Sequence, residues 1–337
     1  MSKTVIPAGY PMPDCLSLYE TQEAIEKIKS CFSSQLKSAL NLMRVSAPLF
    51  VDPATGLNDD LNGVEHPVSF RIKETGLEAQ VVHSLAKWKR MALYRYNFQP
   101  GSGLYTDMNA IRRDEDMDNL HSIYVDQWDW EAIIPEGQRN IEYLKKTVTA
   151  IFEAIRQTLD CLKKNYPQIT VSIPEKIQFI TTQELEDFYP NLTPKERENA
   201  YLKEHHAAFI MQIGGRLKSG IKHDGRAPDY DDWNLNGDIV LWSEVLQSAF
   251  EVSSMGIRVD ADAMAKQLKS AGCEERANLP FHKMVLDGTL PLTIGGGIGQ
   301  SRLCMFLLSK AHIGEVQVSL WDDDTKNICQ SAGVTLL

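Results

Sequence analysis

Several stretches of this 337-residue sequence carry the residue types that polar chemistry needs. In HSIYVDQWDWE, residues 121–131, a strand puts Ile123, Val125, Gln127, Asp129 and Glu131 on one face and Tyr124, Asp126, Trp128 and Trp130 on the other. The first face turns from apolar to polar partway along, opposite two tryptophans that favour burial. Gln127 and Asp129 then stand about 6.6 Å apart, a spacing that suits the two ends of a small polar ligand. A pocket floor and an edge strand with a solvated face both fit this pattern. Upstream, Arg112 opens a charged loop that also holds Glu115. HDGRAPDYDDWNLNGD, residues 223–238, sets aspartates around Arg226; it reads as a solvated loop or as a source of the hard oxygen ligands that magnesium takes. AFEVSSMGIRV, residues 249–259, puts Glu251, Ser254 and Arg258 on one strand. Strict alternation sends Glu251 and Arg258 to opposite faces, so a shared pocket needs a bulge, expected within 253–256. In PLTIGGGIGQSRLCMFLL, residues 291–308, the backbone is bare over 295–299 ahead of Arg302. This is no dinucleotide fingerprint, because the third glycine falls on Gln300 or Arg302, and no P-loop, because no Gly-Lys-Ser/Thr follows. A bare backbone admits something flat, and arginine stacks well on an aromatic base. Close strand-to-helix packing is the bland alternative.

These residues need elements to hold them. After an irregular, proline-bearing arm over the first 16 residues, apolar periodicity predicts a helix from Thr21, with Ile25, Ile28, Phe32, Leu36, Ala39, Leu40 and Met43 as its stripe. A strand over 44–51 follows, and Pro48 within it points to an edge or an interface, where it and the helix can meet a symmetry mate. The acidic loop 55–63 holds Asp59 and Asp60 and reads by default as a solvated turn. Strands at 68–72 and 78–83 lead to a helix over 84–96. Lys87, Lys89 and Arg90 crowd its first turns against the helix dipole, and a solvated face is the default reading unless an anion waits nearby. A strand at 104–111, the loop 112–119 and the strand of 121–131 make a hairpin with a long polar tip. Then come a helix of about six turns from Asn140, a strand at 177–180, and short helices opened by capping boxes, Thr181 with Glu184 and Thr193 with Glu196. Strands at 207–213, 239–242 and 249–259, a helix at 260–271, and the closing strand, glycine cluster and helix complete the chain. The expected organisation is a single catalytic domain, 1–337, with a helical insertion at about 138–206.

Composition limits the partners. The chain exceeds the length at which single cores stop growing, about 250 to 300 residues. Hydrophobic residues make up 43% and charged residues 24%, with no long apolar run and no signal-like start, so a soluble globular protein without a membrane partner is expected. The net charge of −10 argues against a nucleic-acid partner and for small substrates. Cys15, Cys31, Cys161, Cys273, Cys304 and Cys329 are scattered, with neither CxxC nor zinc spacing, which predicts reduced thiols, a cytoplasmic location and no structural zinc.

Across nearly the whole chain, these pieces in this order resemble the three motifs of class II aminoacyl-tRNA synthetases. The stretches VVHSLAKWKR, LHSIYVDQWDWE, RAPDYDDW, SSMGIRVDAD and TIGGGIGQSR are similar to those of one branch, the ammonia-dependent asparagine synthetases or aspartate–ammonia ligases. The resemblance implies an α+β fold, an antiparallel β-sheet flanked by helices, with ATP bound in a bent form, Mg²⁺ beside it, and a homodimer formed through the first helix and the Pro48 strand. It also implies two steps. The β-carboxylate of aspartate attacks the α-phosphorus of ATP to give β-aspartyl-AMP and pyrophosphate; ammonia, taken from solution, then displaces AMP to give asparagine. Arg112 is expected where charge builds on the α-phosphate, Glu115 at the base, Asp238 and Glu251 as magnesium ligands directly or through water, and Arg302, beside bare Gly297, on adenine or the outer phosphates. Lys89 and Arg258 are expected on the carboxylates of aspartate, Gln127, Asp129 and Asp59 on its amino group or on ammonium, and Ser84 and Ser254 as hydrogen-bond donors beside them. Asp231, with Arg226 and Tyr230, is expected on the ammonia side, where a carboxylate can take a proton from ammonium. Glu131 is assigned to the nucleotide side. Relative to bacterial members, the excursion after DYDDW is short, which predicts a different lid. Two other readings share the motifs. One is an aspartyl- or asparaginyl-tRNA synthetase-like paralogue, opposed by the lack of room for a nucleic-acid-binding barrel before Thr21. The other is a non-catalytic aspartate- or ATP-sensing subunit, opposed by the presence of Arg112, Glu251 and Arg302.

Overall fold

The computed structural model describes residues 3–11, 16–59, 61 and 65–337, so Cys15 and Asp60 lie outside the described residues. Helix α1 (Leu18–Leu40) starts at a capping box between Ser17 and Glu20 and buries Ala24, Ile25, Ile28, Phe32 and Leu36, a stripe at helical spacing. It stops at Asn41 in the left-handed region, φ 52°. Met43, expected to continue the stripe, therefore falls in β1 (Leu42–Arg44) and is 53% exposed. The single strand expected over 44–51 is instead β1 and β2 (Phe50–Val51), and Pro48, which has no N–H for a ladder, sits between them outside any strand.

β2 pairs with β4 (Glu78–Val81), which pairs with β3 (Ser69–Arg71), making a small three-stranded sheet. After α2 (Ala86–Arg95) the hairpin of β5 (Gly103–Ile111) and β6 (Tyr124–Ile133) enters a larger sheet. Its other members are β7 (Gln178–Thr181), β8 (Ala207–Met211), β9 (Asp231–Ser243), β10 (Ser248–Arg258) and β11 (Thr293–Gly299), in the order β1-β5-β6-β11-β10-β9-β8-β7. Every inner pairing is antiparallel; the two outermost, β1 with β5 and β7 with β8, are parallel. The expected antiparallel sheet flanked by helices is thus observed. β9 begins at Asp231, earlier than expected, so the end of the aspartate-rich segment is strand and not loop.

Helices α1, α3 (Ile141–Lys163) and α8 (Gln300–Leu307) cover one face of this sheet. The alternation expected for β6 holds there: Trp128 and Trp130 are buried among Phe32, Leu144, Ile151, Phe209, Met255 and Ile298, and the Phe32 and Trp128 rings lie 4.6 Å apart. Each such side chain contributes about 1.5 to 3 kcal/mol by leaving water, which fixes the opposite side of β6 against the other face. Residues 138–206 supply α3, the edge strand β7, α4 (Thr182–Phe188) and α5 (Pro194–His205); the capping boxes of Thr181 with Glu184 and Thr193 with Glu196 open the last two. Helices α6 (Ala261–Ala271) and α7 (Pro280–Leu286) pack together with Leu57 and Met91 behind the polar face, and α9 (Asp323–Ser331) lies near the C-terminus. Among the described residues, no helix is long and apolar enough to cross a membrane.

Candidate active site

The polar face opens into a cavity of about 460 Å³ that gathers Asp59, Ser84, Lys89, Arg112, Glu115, Gln127, Asp129, Arg226, Tyr230, Asp231, Glu251, Ser254, Arg258, Gly297 and Arg302. Asp238 is the expected site residue that does not line it; its carboxylate lies behind Arg226, with Nη2 to Oδ1 at 2.5 Å.

The floor comes from α2 meeting β6. Lys89 is ion-paired to Asp129, donates to the Gly296 carbonyl at 3.0 Å and lies 3.9 Å from Glu131. Burial pulls Lys89 below the ordinary lysine range and pushes Asp129 above that of a carboxylic acid, against their mutual attraction. The solvated-face reading of this helix is wrong: Lys87, Lys89 and Arg90 are all buried. Arg90 donates to the backbone oxygens of Val259 (2.7 Å) and Pro291 (2.9 Å), and burial lowers its pKa to about 10.

Arg258 grips Glu131 with two nitrogens, Nε at 3.0 Å and Nη2 at 2.7 Å, pairs with Asp231 through Nη1, and spans the Tyr230 ring at 5.6 Å. Burial opposes its charge, yet Glu131 and Asp231 outweigh that and hold it above the usual arginine value. Glu131 is fully buried and also accepts from Thr293 at 2.6 Å. Its assignment to the nucleotide side is therefore corrected: it holds Arg258 in place under the cavity.

The glycine cluster is strand β11 itself, not a loop after one. A Cβ at Gly295 would collide with the Glu131 carboxylate, and one at Gly297 with the Gln127 amide. The bare backbone thus makes room for neighbouring side chains of β6 as well as for a ligand. β10 has the bulge that the shared pocket required, one step earlier than expected, between Glu251 and Ser253. As a result Phe250, Val252, Met255 and Ile257 join the core, while Glu251, Ser254 and Arg258 line the cavity.

Around the rim, Arg226 donates to Ser254 and pairs with Asp238. Ser254 accepts from Arg226, which leaves its own hydroxyl proton to serve as the expected donor. Asp59 is buried; its carboxylate accepts from Ser84 Oγ at 2.8 Å and from the Leu61 amide at 2.9 Å. The default reading of its loop as a solvated turn fails at this residue. The opposite end of the cavity is looser. Arg112 and Glu115 stand 3.9 Å apart with 23% of each side chain exposed, and Arg302 reaches Glu251 at 3.4 Å.

Sequence reasoning missed several lining residues at that end, among them Asp224, Ser301 and Gln317. Asp126 had a signal, a carboxylate on the tryptophan side of β6. It accepts from Ser301 Oγ at 2.8 Å and from Lys29 at 3.4 Å.

Among the described residues, no group of three or more His, Cys, Asp or Glu side chains could hold a metal. Asp238 and Glu251 are a pair on adjacent strands. Burial together with repulsion from Glu251 raises Asp238 to about 7, with Arg226 opposing the rise. Glu251 faces the cavity while Asp238 is engaged by Arg226, so a hard cation here would take most of its oxygens from phosphates and water.

The chain matches the aspartate-ammonia ligase family over residues 19–333. It is 62% identical to the aspartate–ammonia ligase of Ruminiclostridium cellulolyticum over 338 aligned positions that cover all of both chains. The chain belongs to the aspartate–ammonia ligase family. The enzymes of the same name from Clostridium perfringens (60% identical, both chains fully covered) and Fusobacterium nucleatum (58%, 96% of this chain and 98% of the other) agree. End-to-end alignment with these bacterial relatives also corrects the short-excursion reading, since it leaves no room for a long missing segment. Among solved structures, the asparaginyl-tRNA synthetase from Pyrococcus horikoshii complexed with asparaginyl-adenylate superposes with a TM-score of 0.64 at 14% identity, covering 90% of this chain and 70% of that one. The aspartyl tRNA synthetase from Entamoeba histolytica gives 0.58 at 17%, covering 90% and 59%. At these identities the likeness is one of fold, that of the class II synthetases.

Proposed function

We propose that this cavity makes asparagine from aspartate, ammonia and ATP through β-aspartyl-AMP, releasing AMP and pyrophosphate. The observation that carries this reading is the division of one cavity into a buried floor of paired charges, suited to an amino acid, and an open end bearing Arg112 and Arg302, suited to phosphates.

In the first step a β-carboxylate oxygen forms a bond to the α-phosphorus as the bond to the bridging oxygen of pyrophosphate breaks. Arg112 meets the charge that develops, Glu115 and Gly297 flank the nucleotide, and Arg302 takes the base or outer phosphates. Asp238 and Glu251, directly or through water, would hold Mg²⁺ beside the phosphates, where the ion would supply charge neutralisation. Lys89 and Arg258 receive the carboxylates of aspartate, Gln127 and Asp129 its amino group, with Ser84 and Ser254 beside them. In the second step ammonia attacks the acyl carbon and AMP leaves. Free NH₃ is the nucleophile, so ammonium first gives a proton to a carboxylate, for which Asp231 and Asp59 face the cavity near Arg226 and Tyr230.

Exposed Met43, Leu49 and Phe50, at 53%, 51% and 45%, support a homodimer through the end of α1 and the segment after it. The free thiols, among them Cys31 and Cys161 in contact yet unbonded, support a cytoplasmic setting. Incubation with aspartate, ATP, magnesium and ammonium is expected to yield asparagine, AMP and pyrophosphate in equal amounts. Formation of ADP, or no nucleotide turnover, overturns the reading.

A further inference from the structure

The proposed chemistry uses Arg226, Tyr230 and Asp231 but not the residue between them that is most heavily engaged. Asp229 is 1% exposed, and its Oδ2 receives three cationic or ring donors from outside the segment: Lys87 of α2 at 3.1 Å, His282 of α7 at 3.0 Å and Arg276 at 3.4 Å. Lys87 and His282 are themselves buried, at 2% and 0% exposure. The far end of the segment is tied separately: buried His223 meets Glu198 of α5 at 2.9 Å. Backbone ties complete the pinning. Gln267 donates to the carbonyls of Pro228 (3.0 Å) and Asp231 (2.9 Å), and the Tyr230 carbonyl accepts from Val259 at 2.9 Å. α2 also carries Lys89 in the cavity floor, so one carboxylate joins the floor to the rim.

We infer that Asp229 is a positioning residue: it fixes the segment from Arg226 to Asp231 against α2 and α7 as a rigid rim, setting the amino-acid and ammonia end of the cavity without touching substrate. A mere counter-charge for Lys87 would become dispensable once Lys87 is neutral; a positioning anchor would not. This rests on the function proposed above.

The test is steady-state pyrophosphate release by the full-length enzyme, with aspartate, ammonium and ATP varied in turn. Asp229→Asn alone leaves Lys87 buried without its partner, so the decisive protein is Lys87→Met/Asp229→Asn, in which both charges are gone. Its KM for aspartate and for ammonium is expected to rise about tenfold or more, with the KM for ATP within about twofold of wild type. Equal rises for aspartate and ATP, or no change in either, overturn the inference. Should that protein not fold, Arg276→Gln, which keeps Lys87 and His282, is expected to raise the aspartate and ammonium KM by about threefold with the ATP KM unchanged; unchanged aspartate and ammonium values overturn the inference. Wild-type enzyme that makes no asparagine overturns the function itself, whereas active wild type with unshifted variants overturns only the role of Asp229.

Discussion

The two ends of the cavity are built on opposite principles. At the buried end, the one proposed for the amino acid, Asp59, Lys89, Asp129, Asp231 and Arg258 are each 1–2% exposed and each already has a partner. At the open end, the one proposed for the nucleotide, Arg112, Glu115 and Arg302 keep 21–23% of their side chains exposed and pair only at 3.4–3.9 Å. The first end has removed water from its charges before any substrate arrives, so folding bears that desolvation and the geometry is ready. The second end leaves its arginines partly exposed and loosely paired, which suits an incoming polyanion that brings its own charge. A small zwitterion must be recognised by placement; a polyanion can be recognised by charge.

This contrast can be broken at either end, and the largest effect is expected at the buried one. Arg258→Met leaves Glu131 and Asp231 buried without their cation and should destabilise the fold by about 3 to 5 kcal/mol in urea unfolding; a loss below about 1 kcal/mol would mean these charges are far better solvated than their burial indicates. Arg112→Ala should do the reverse, leaving stability within about 0.5 kcal/mol while slowing aspartate-dependent pyrophosphate exchange by about 10² to 10³, or 2.7 to 4 kcal/mol. A tenfold or smaller slowing would count against its role at the α-phosphate. Acid should act next to the open end through His312, which adjoins the lining residue Ile313. Burial lowers its pKa from 6.5 to about 4, so the unfolded chain binds more protons between those values. Its contribution is full above pH 6.5 and is lost as pH falls towards 4, up to about 3 kcal/mol. His312→Gln should flatten that part of the stability profile, and an identical slope in wild type and variant would rule the histidine out. Ser84→Ala removes the hydroxyl that Asp59 accepts at 2.8 Å and should cost about 1.5 kcal/mol, read as a rise in aspartate KM of about tenfold with ATP unaffected.

What the sequence made legible divides along the same line. Local patterns worked: the α1 stripe, both capping boxes, the faces of β6 and the need for a bulge in β10 are set by neighbours a few residues apart. Partners distant in the chain did not. Lys87, Lys89 and Arg90 look like a solvated helical face because their acceptors, Asp229, Asp129, Val259 and Pro291, lie 40 to 201 positions away. Glu131 was misassigned for the same reason, since its bond to Arg258 spans 127 positions. The role of Gly295 could be seen only once β6 and β11 were side by side. The residues of the site were found largely through resemblance; which of them touch one another required the fold.

The place of β11 in the sheet carries a consequence for how the enzyme is made. The strand occupies residues 293–299 yet lies between β6 and β10. One half of the cavity, with Arg112, Gln127 and Asp129, and the other, with Arg226, Glu251 and Arg258, are joined through this late strand. A ribosome that has released everything up to Arg258 has produced both halves but no cavity. The intermediate exposes two unpaired strand edges in the middle of the future sheet, so assembly should be slow, dominated by non-local pairing, and most prone to misassociation just before the glycine strand emerges.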